Sequence, residues 1–217
     1  SAVRLPTFTD LYYQSATQIA NPNLLPERSK TVELGLKYNN EYFKLNGSAF
    51  YRMGENIIDW VKQPDSTKWE SRNLTNVNAL GLNVMTEYSF KHGFLKKVSV
   101  SYAYLQLDKQ ADNFDSKYAL DYLKHKFVVG VHHNIISRLS AMWQLSYNDR
   151  AGDYTDFLSG KKTNYDPFVM ANMRLNWVAK HYELYADVNN LLNINYADFG
   201  GLTQPGINFL VGIRVKY

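Results

Sequence analysis

The chain has 217 residues, 45% of them apolar and 15% aromatic, including 17 tyrosines, and a formal charge of +4. It holds no cysteine, which excludes disulfides and thiolate metal sites, and no run of about 18 apolar residues, which excludes a transmembrane helix. Its lysines and arginines are scattered rather than clustered, so the modest positive charge does not point to nucleic acid. The opening stretch SAVRLPTF carries no basic and apolar leader pattern.

In chain order, the apolar residues recur at every second position. The sets are Val32–Leu34–Leu36–Tyr38, Phe43–Leu45–Gly47–Ala49–Tyr51, Leu80–Leu82–Val84–Thr86–Tyr88–Phe90 and Phe94–Val98–Val100–Tyr102–Tyr104. Then come Phe127–Val129–Val131–His133–Ile135, Leu139–Ala141–Trp143–Leu145–Tyr147, Val169–Ala171–Met173–Leu175–Trp177 and Tyr182–Leu184–Ala186–Val188. The last is Ile207–Phe209–Val211–Ile213–Val215–Tyr217. A period of two marks strands, and helical stripes persist nowhere. The pattern predicts nine strands, with part of a tenth in residues 1–5.

The intervening positions are polar: Glu33, Lys37, Lys44, Asn46, Asn83, Glu87, Ser99, Ser101, Gln144, Arg174 and Asp187 are examples. One wet face also suits a soluble sandwich. The connections separate the two. Short ones (Asn39–Glu41, Lys91–Gly93, Ile136–Ser137, Ala179–His181) alternate with long ones (6–27, about 63–70, 108–120, 150–166, 192–205). Up-and-down membrane barrels alternate in this way; Greek-key sandwiches do not.

The aromatics agree. Tyr38, Phe43, Phe90, Phe94, Trp177, Tyr182 and Tyr217 lie beside the short turns on the apolar face. Tyr51, Tyr104, Phe127, Tyr147, Tyr165 and Phe209 lie toward the long loops. Phe94 and Tyr104 are ten residues apart, roughly 23 Å for a strand tilted at about 45°. That matches the ~25 Å apolar band between two aromatic girdles. The expected fold is therefore all-β, an antiparallel up-and-down transmembrane β-barrel of which the chain supplies about 9–10 strands.

Several stretches, in order, resemble the C-terminal part of a TonB-dependent outer-membrane receptor. They are Arg4-Leu5-Pro6, Asp10-Leu11-Tyr12, Asn21-Pro22-Asn23-Leu24-Leu25-Pro26-Glu27-Arg28-Ser29, AFYRMGENIIDWV (Ala49–Val61), ALGLNV (Ala79–Val84) and ADVNNLLNINYADFG (Ala186–Gly200). Leu82-Asn83 departs from the acidic residue many members carry there. Gly212, Val215 and Tyr217 resemble a C-terminal outer-membrane assembly signal, although Leu210 stands where a polar residue is expected. The resemblance implies a 22-stranded barrel of the cobalamin or siderophore receptor type, in the bacterial outer membrane. Residues 1–217 would be the C-terminal part of that barrel, about two-fifths of its wall, without the plug domain and the TonB box. The implied partners are outer-membrane lipid, a bulky small-molecule ligand and the TonB complex, reached through the N-terminal region; nucleic acid is not among them.

No catalytic motif is present: there is no Gly-x-Ser-x-Gly, His-Glu-x-x-His or phosphate loop. No cofactor or metal site is expected. His132 and His133 are neighbours on a strand, so they face opposite sides and cannot share a metal. His132 is expected in the lumen and His133 at the membrane interface. The stretch Asp112–Ser116 lacks calcium-loop spacing. Arg52, Arg174 and Arg214 point to a wet lumen and call for no special partner. The lumen of a receptor is filled by its plug, and the short turns face the periplasm, so ligand contact falls to the long loops. Their exposed aromatic and acidic residues are the ligand-binding candidates: Tyr12, Tyr13, Trp69, Tyr154, Phe157, Tyr196, Asp198 and Phe199. Three functions are open at this point: an energy-coupled receptor for a scarce nutrient, a passive porin or adhesin, and an outer-membrane hydrolase. The last lacks a catalytic cluster.

Overall fold

The computed structural model describes residues 1–110, 114–116, 122–156 and 159–215. In chain order the elements are β1 (Ala2–Arg4), α1 (Phe8–Tyr12), β2 (Gln18–Ile19), β3 (Glu27–Asn39), β4 (Phe43–Lys62), β5 (Trp69–Ser89) and β6 (Leu95–Gln110). β7 (Asp115–Ser116), β8 (Tyr122–Ile136), β9 (Leu139–Ala151), β10 (Asp153–Thr155), β11 (Lys162–Asn164) and β12 (Phe168–Val178) follow. The last are β13 (Tyr182–Asn189), β14 (Ala197–Asp198), a 3-10 turn (Phe199–Gly201), β15 (Leu202–Thr203) and β16 (Asn208–Val215).

The main sheet runs β1-β3-β4-β5-β6-β8-β9-β12-β13-β16, each long strand antiparallel to its chain neighbour. This is the up-and-down order expected, as an open wall with β1 at one end and β16 at the other. Nine long strands appear among the described residues, where nine were predicted. The tenth is β1, whose Ala2 pairs with Ser29 of β3.

Register carries the alternation across the whole sheet. Val32 faces Tyr51, Tyr51 faces Leu80, Leu82 faces Tyr104 and Tyr102 faces Phe127. Val129 faces Leu145, Leu145 faces Ala171, Leu175 faces Ala186 and Ala186 faces Val211. A slip of one residue at any ladder would have moved a strand's apolar set to the other side. The result is one continuous aliphatic and aromatic face. It lacks protein cover: Leu34 is 80% exposed and Val211 76%. A contiguous apolar surface of this extent is a lipid-facing one.

The opposite face carries paired charges. Lys44 and Lys97 flank Glu87 at 3.1 and 3.0 Å, Arg174 grips Asp187 through two contacts of 2.5 and 2.7 Å, and Arg214 meets Glu183 at 3.4 Å. Arg174 and Arg214, which called for no special partner in a wet lumen, are each matched by a carboxylate on the adjacent strand. His132 lines a cleft on this face with Glu87, Lys97 and Arg174. His133 accepts a hydrogen bond at Nε2 from the Trp143 indole at 3.1 Å and packs edge-on to Phe94, at the lower girdle as expected.

Local chemistry sets the short turns. The Asn40 side-chain oxygen accepts from the amides of Tyr42 and Phe43 at 2.9 and 2.7 Å, closing the β3–β4 turn. The β5–β6 turn contains Gly93 at φ 93°, where a side chain would be strained.

About nine to eleven tilted residues cross a membrane, whereas β4 and β5 have 20 and 21. Their upper halves therefore stand above the bilayer. The buried apolar cluster lies there: Val61, Leu74 and Val77, with Ile57, Leu107 and Phe114 against them. Asp59 is buried beside it and accepts from the Ser116 hydroxyl. Phe114 and Ser116, from the stretch considered for calcium, serve this packing; Asp112 lies outside the described residues.

Candidate functional site

The long connections gather into two clusters. The first covers the upper part of β4 and β5 with residues 7–27. Thr7 and Asp10 form a reciprocal cap on α1: the Asp10 amide donates to Thr7 Oγ1 at 3.2 Å, and the Thr7 amide to Asp10 Oδ2 at 2.9 Å. This short helix is absent from a reading based on stripes alone, and the Thr-x-x-Asp spacing is the signal that marks it. Arg4 pairs with both Asp10 and Glu27. The same Glu27 carboxylate accepts the Ile58 amide at 2.8 Å.

The proline-rich stretch before β3 is strapped down by two side chains of β5. Ser71 accepts from the Asn21 amide at 2.8 Å and donates to the Asp10 carbonyl at 2.7 Å. Asn73 accepts from the Leu25 amide and donates to the carbonyls of Leu25 and Asn56, all within 2.8–2.9 Å. Two prolines remove donors from this stretch, and Ser71 and Asn73 satisfy polar groups that remain. Tyr13 lies edge-on to Trp60 at 6.5 Å, Tyr12 tilts against Phe8 at 5.2 Å, and Tyr12 is exposed. Trp69, expected in a loop, is the first residue of β5, paired in parallel with Gln18 of β2. The strand extends further because residues 17–19 give its edge a backbone partner: the Trp69 amide donates to the Thr17 carbonyl at 2.9 Å.

The second cluster joins the β9–β12 and β13–β16 connections. Tyr154, on the small β10–β11 hairpin, packs on Tyr165 at 4.9 Å. The Arg150 guanidinium lies 5.5 Å over Tyr165 and pairs with Asp198. The Tyr165 hydroxyl accepts from the Gly201 amide at 3.1 Å. Gly201 sits at φ 73°, and a Cβ there would fall 2.1 Å from the Tyr154 ring, so glycine is required on both counts. Phe168 and Tyr196 stack at 4.3 Å. Asn190, 2% exposed, ties the base of the last loop: its side chain exchanges hydrogen bonds with the Ile194 backbone at 2.9 and 3.0 Å. A cleft of about 250 Å³ lies among Tyr154, Tyr165, Asp166, Phe168, Tyr196 and Thr203.

Tyr165 corrects an expectation. It is 7% exposed, beneath Tyr154 and Arg150, and is no girdle residue. The eight candidates divide. Tyr12, Tyr13 and Trp69 belong to the first cluster; Tyr154, Tyr196 and Asp198 meet in the second. Phe157 and the side chain of Phe199 lie outside the described residues, as does Tyr217. Arg150, Tyr165, Asp166 and Phe168 were missed. Arg150 carried one signal, an arginine at a strand end directly before an aromatic-rich loop. Tyr196 is held above the ordinary tyrosine value by burial and then by the Asp198 charge, so its phenol stays protonated. Among the described residues no group of three or more acidic, histidine or cysteine side chains could hold a metal.

A family model described as TonB dependent receptor-like, beta-barrel, matches residues 1–191. The chain belongs to the TonB-dependent receptor family. Its relatives include the vitamin B12 transporter BtuB of Vibrio vulnificus, 32% identical over 112 residues, covering 51% of this chain and 17% of that protein. The vitamin B12 transporter BtuB of Photobacterium profundum is 24% identical over 200 residues, covering 89% and 30%. Among solved structures, the copper transporter OprC superposes with a TM-score of 0.75 at 16% identity over 98% of this chain and 34% of that one. The ferric-catecholate import receptor Fiu from E. coli K12 gives 0.69 at 16% identity, covering 98% and 31%. These likenesses show the shared barrel wall. The chain spans less than a third of the curated relatives' length. The TonB-dependent receptors are transporters rather than enzymes.

Proposed function

We propose that this chain is the C-terminal part of the barrel of an outer-membrane receptor that takes up a scarce, bulky nutrient, cobalamin or an iron-siderophore, by TonB-coupled transport. The plug and the TonB-contacting segment would belong to the whole receptor. The observation that carries the reading is the division of labour across one sheet. A lipid-facing apolar wall has long connections on one side only, and those connections gather aromatic and charged side chains into an open cleft. The names of the BtuB relatives favour cobalamin within this class. Ligand energy captures the nutrient at the loops; the energy for release comes from TonB acting on the plug.

The test is uptake by the whole receptor in cells lacking their own cobalamin receptor, with and without TonB. Labelled cyanocobalamin should accumulate only when TonB is present. Accumulation that ignores TonB would make the protein a passive pore.

A further inference from the structure

The cleft between the last two long connections has one-sided chemistry. Four rings wall it, and Asp166 supplies its carboxylate. Among the described residues no lysine, arginine or histidine lines it. The cation packed against this cluster, Arg150, is engaged by Asp198 and by the Tyr165 ring. The neighbouring Asp153 is matched by Lys162 at 3.2 Å. Asp166 is exposed, and among the described residues it has no cationic partner.

Ring faces present the negative end of the aromatic quadrupole, so they and a bare carboxylate repel anions and attract cations or N–H edges. The protonated Tyr196 phenol and the Thr203 hydroxyl add neutral hydrogen-bonding groups. A space of about 250 Å³ holds one ring or a few substituents, not a whole bulky chelate. We propose that this cleft takes an uncharged or positive, N–H-bearing edge of the ligand, with Asp166 as its acceptor, and discriminates against anionic chelates. The proposal rests on the uptake reading above and narrows its ligand class. A corrinoid rim, lined with primary amides, has the required donors. A ferric tris-catecholate is a trianion and does not.

The experiment is calorimetric titration of the whole receptor in detergent with two probes, cyanocobalamin and the ferric complex of a tris-catecholate siderophore. The variants are Asp166→Ala, Asp166→Asn and, as control, Asp65→Ala, which removes an exposed carboxylate from the β4–β5 connection. Thermal unfolding should be unchanged in all three, since neither carboxylate has a partner to lose among the described residues. The unaltered receptor should bind cyanocobalamin in preference. Asp166→Ala should weaken it about tenfold, the loss of one charge-assisted hydrogen bond. Asp166→Asn should weaken it less, and Asp65→Ala not at all. Cyanocobalamin affinity within about twofold of the unaltered receptor in Asp166→Ala would overturn the role of Asp166 while leaving cobalamin uptake standing. Tighter binding of the ferric complex would overturn the charge selection. Failure to bind either probe would bring down the uptake reading as well.

Discussion

The two loop clusters stand on one wall and use hydrogen bonds and ring contacts in different places. Over β4 and β5, the segment before β3 is held by directional hydrogen bonds from Ser71 and Asn73 to backbone amides and carbonyls. Between β9 and β16 the ring pairs Tyr154–Tyr165 and Phe168–Tyr196 and the Arg150–Asp198 pair wall the cleft, while Asn190 and the Tyr165 hydroxyl bond the loop backbone beneath them. Backbone pairing fixes a single geometry and consumes polar groups that could meet a ligand. The rings of the second cluster line an open cleft, and tyrosine adds a polar handle to a large apolar ring. We propose that the first cluster serves as a scaffold and that the second is the surface suited to capture.

The largest effect should strike both clusters through the wall they share. Leu145→Arg, on the lipid face, should cost about 2–4 kcal/mol near the midplane, measured by reversible unfolding of the whole receptor into lipid vesicles. Ser101→Arg, on the opposite face, should cost less than about 0.5 kcal/mol. Ser146 is a poorer probe of that face, because it is buried and accepts from Asn148 at 3.1 Å. Equal costs at Leu145 and Ser101 would refute the assignment of faces.

The next effect separates the clusters. Asn73→Ala strips partners from the Leu25 amide and from two carbonyls. It should cost about 1–3 kcal/mol and expose residues 8–25 to protease on intact cells, without altering ligand affinity. Loss of affinity here would make the scaffold part of the binding surface. The double change Tyr154→Ala, Tyr196→Ala should do the reverse, weakening ligand binding by about 1–2 kcal/mol while the wall unfolds as before. Tyr12→Ala should shift binding by less than about 0.5 kcal/mol, since that ring is exposed on the scaffold side. A loss matching that of the double change would break the comparison.

The smallest effect is a titration within the second cluster. The Tyr196 value is raised in the folded protein, so its contribution is complete below the ordinary tyrosine range. It is lost as pH rises from that ordinary value through the raised one, because the unfolded chain ionises first. In the whole receptor, the alkaline fall in thermal stability should be reduced by Tyr196→Phe. A fall identical to that of the unaltered receptor would mean that Tyr196 is not shielded.

The sequence by itself determined the wall. The alternation of Val32 to Tyr38, or of Phe209 to Val215, is a property of each strand alone, because successive side chains point to opposite faces. The same holds for the order of short and long connections and for the aromatic rows beside the short turns. Strand number, the lipid-facing parity and family membership were therefore legible without coordinates. Only the tertiary structure decided how the loops are held. Trp69 extends a strand because residues 17–19 reach it across the fold, and Tyr165 lies in the parity of a girdle residue yet is buried under Arg150 and Tyr154. Arg150 finds Asp198 48 residues away. Such meetings depend on strand order and register summed over several ladders, and no local pattern encodes them. That Asp166 has no cationic partner among the described residues is visible only once Arg150 and Asp153 have been given theirs.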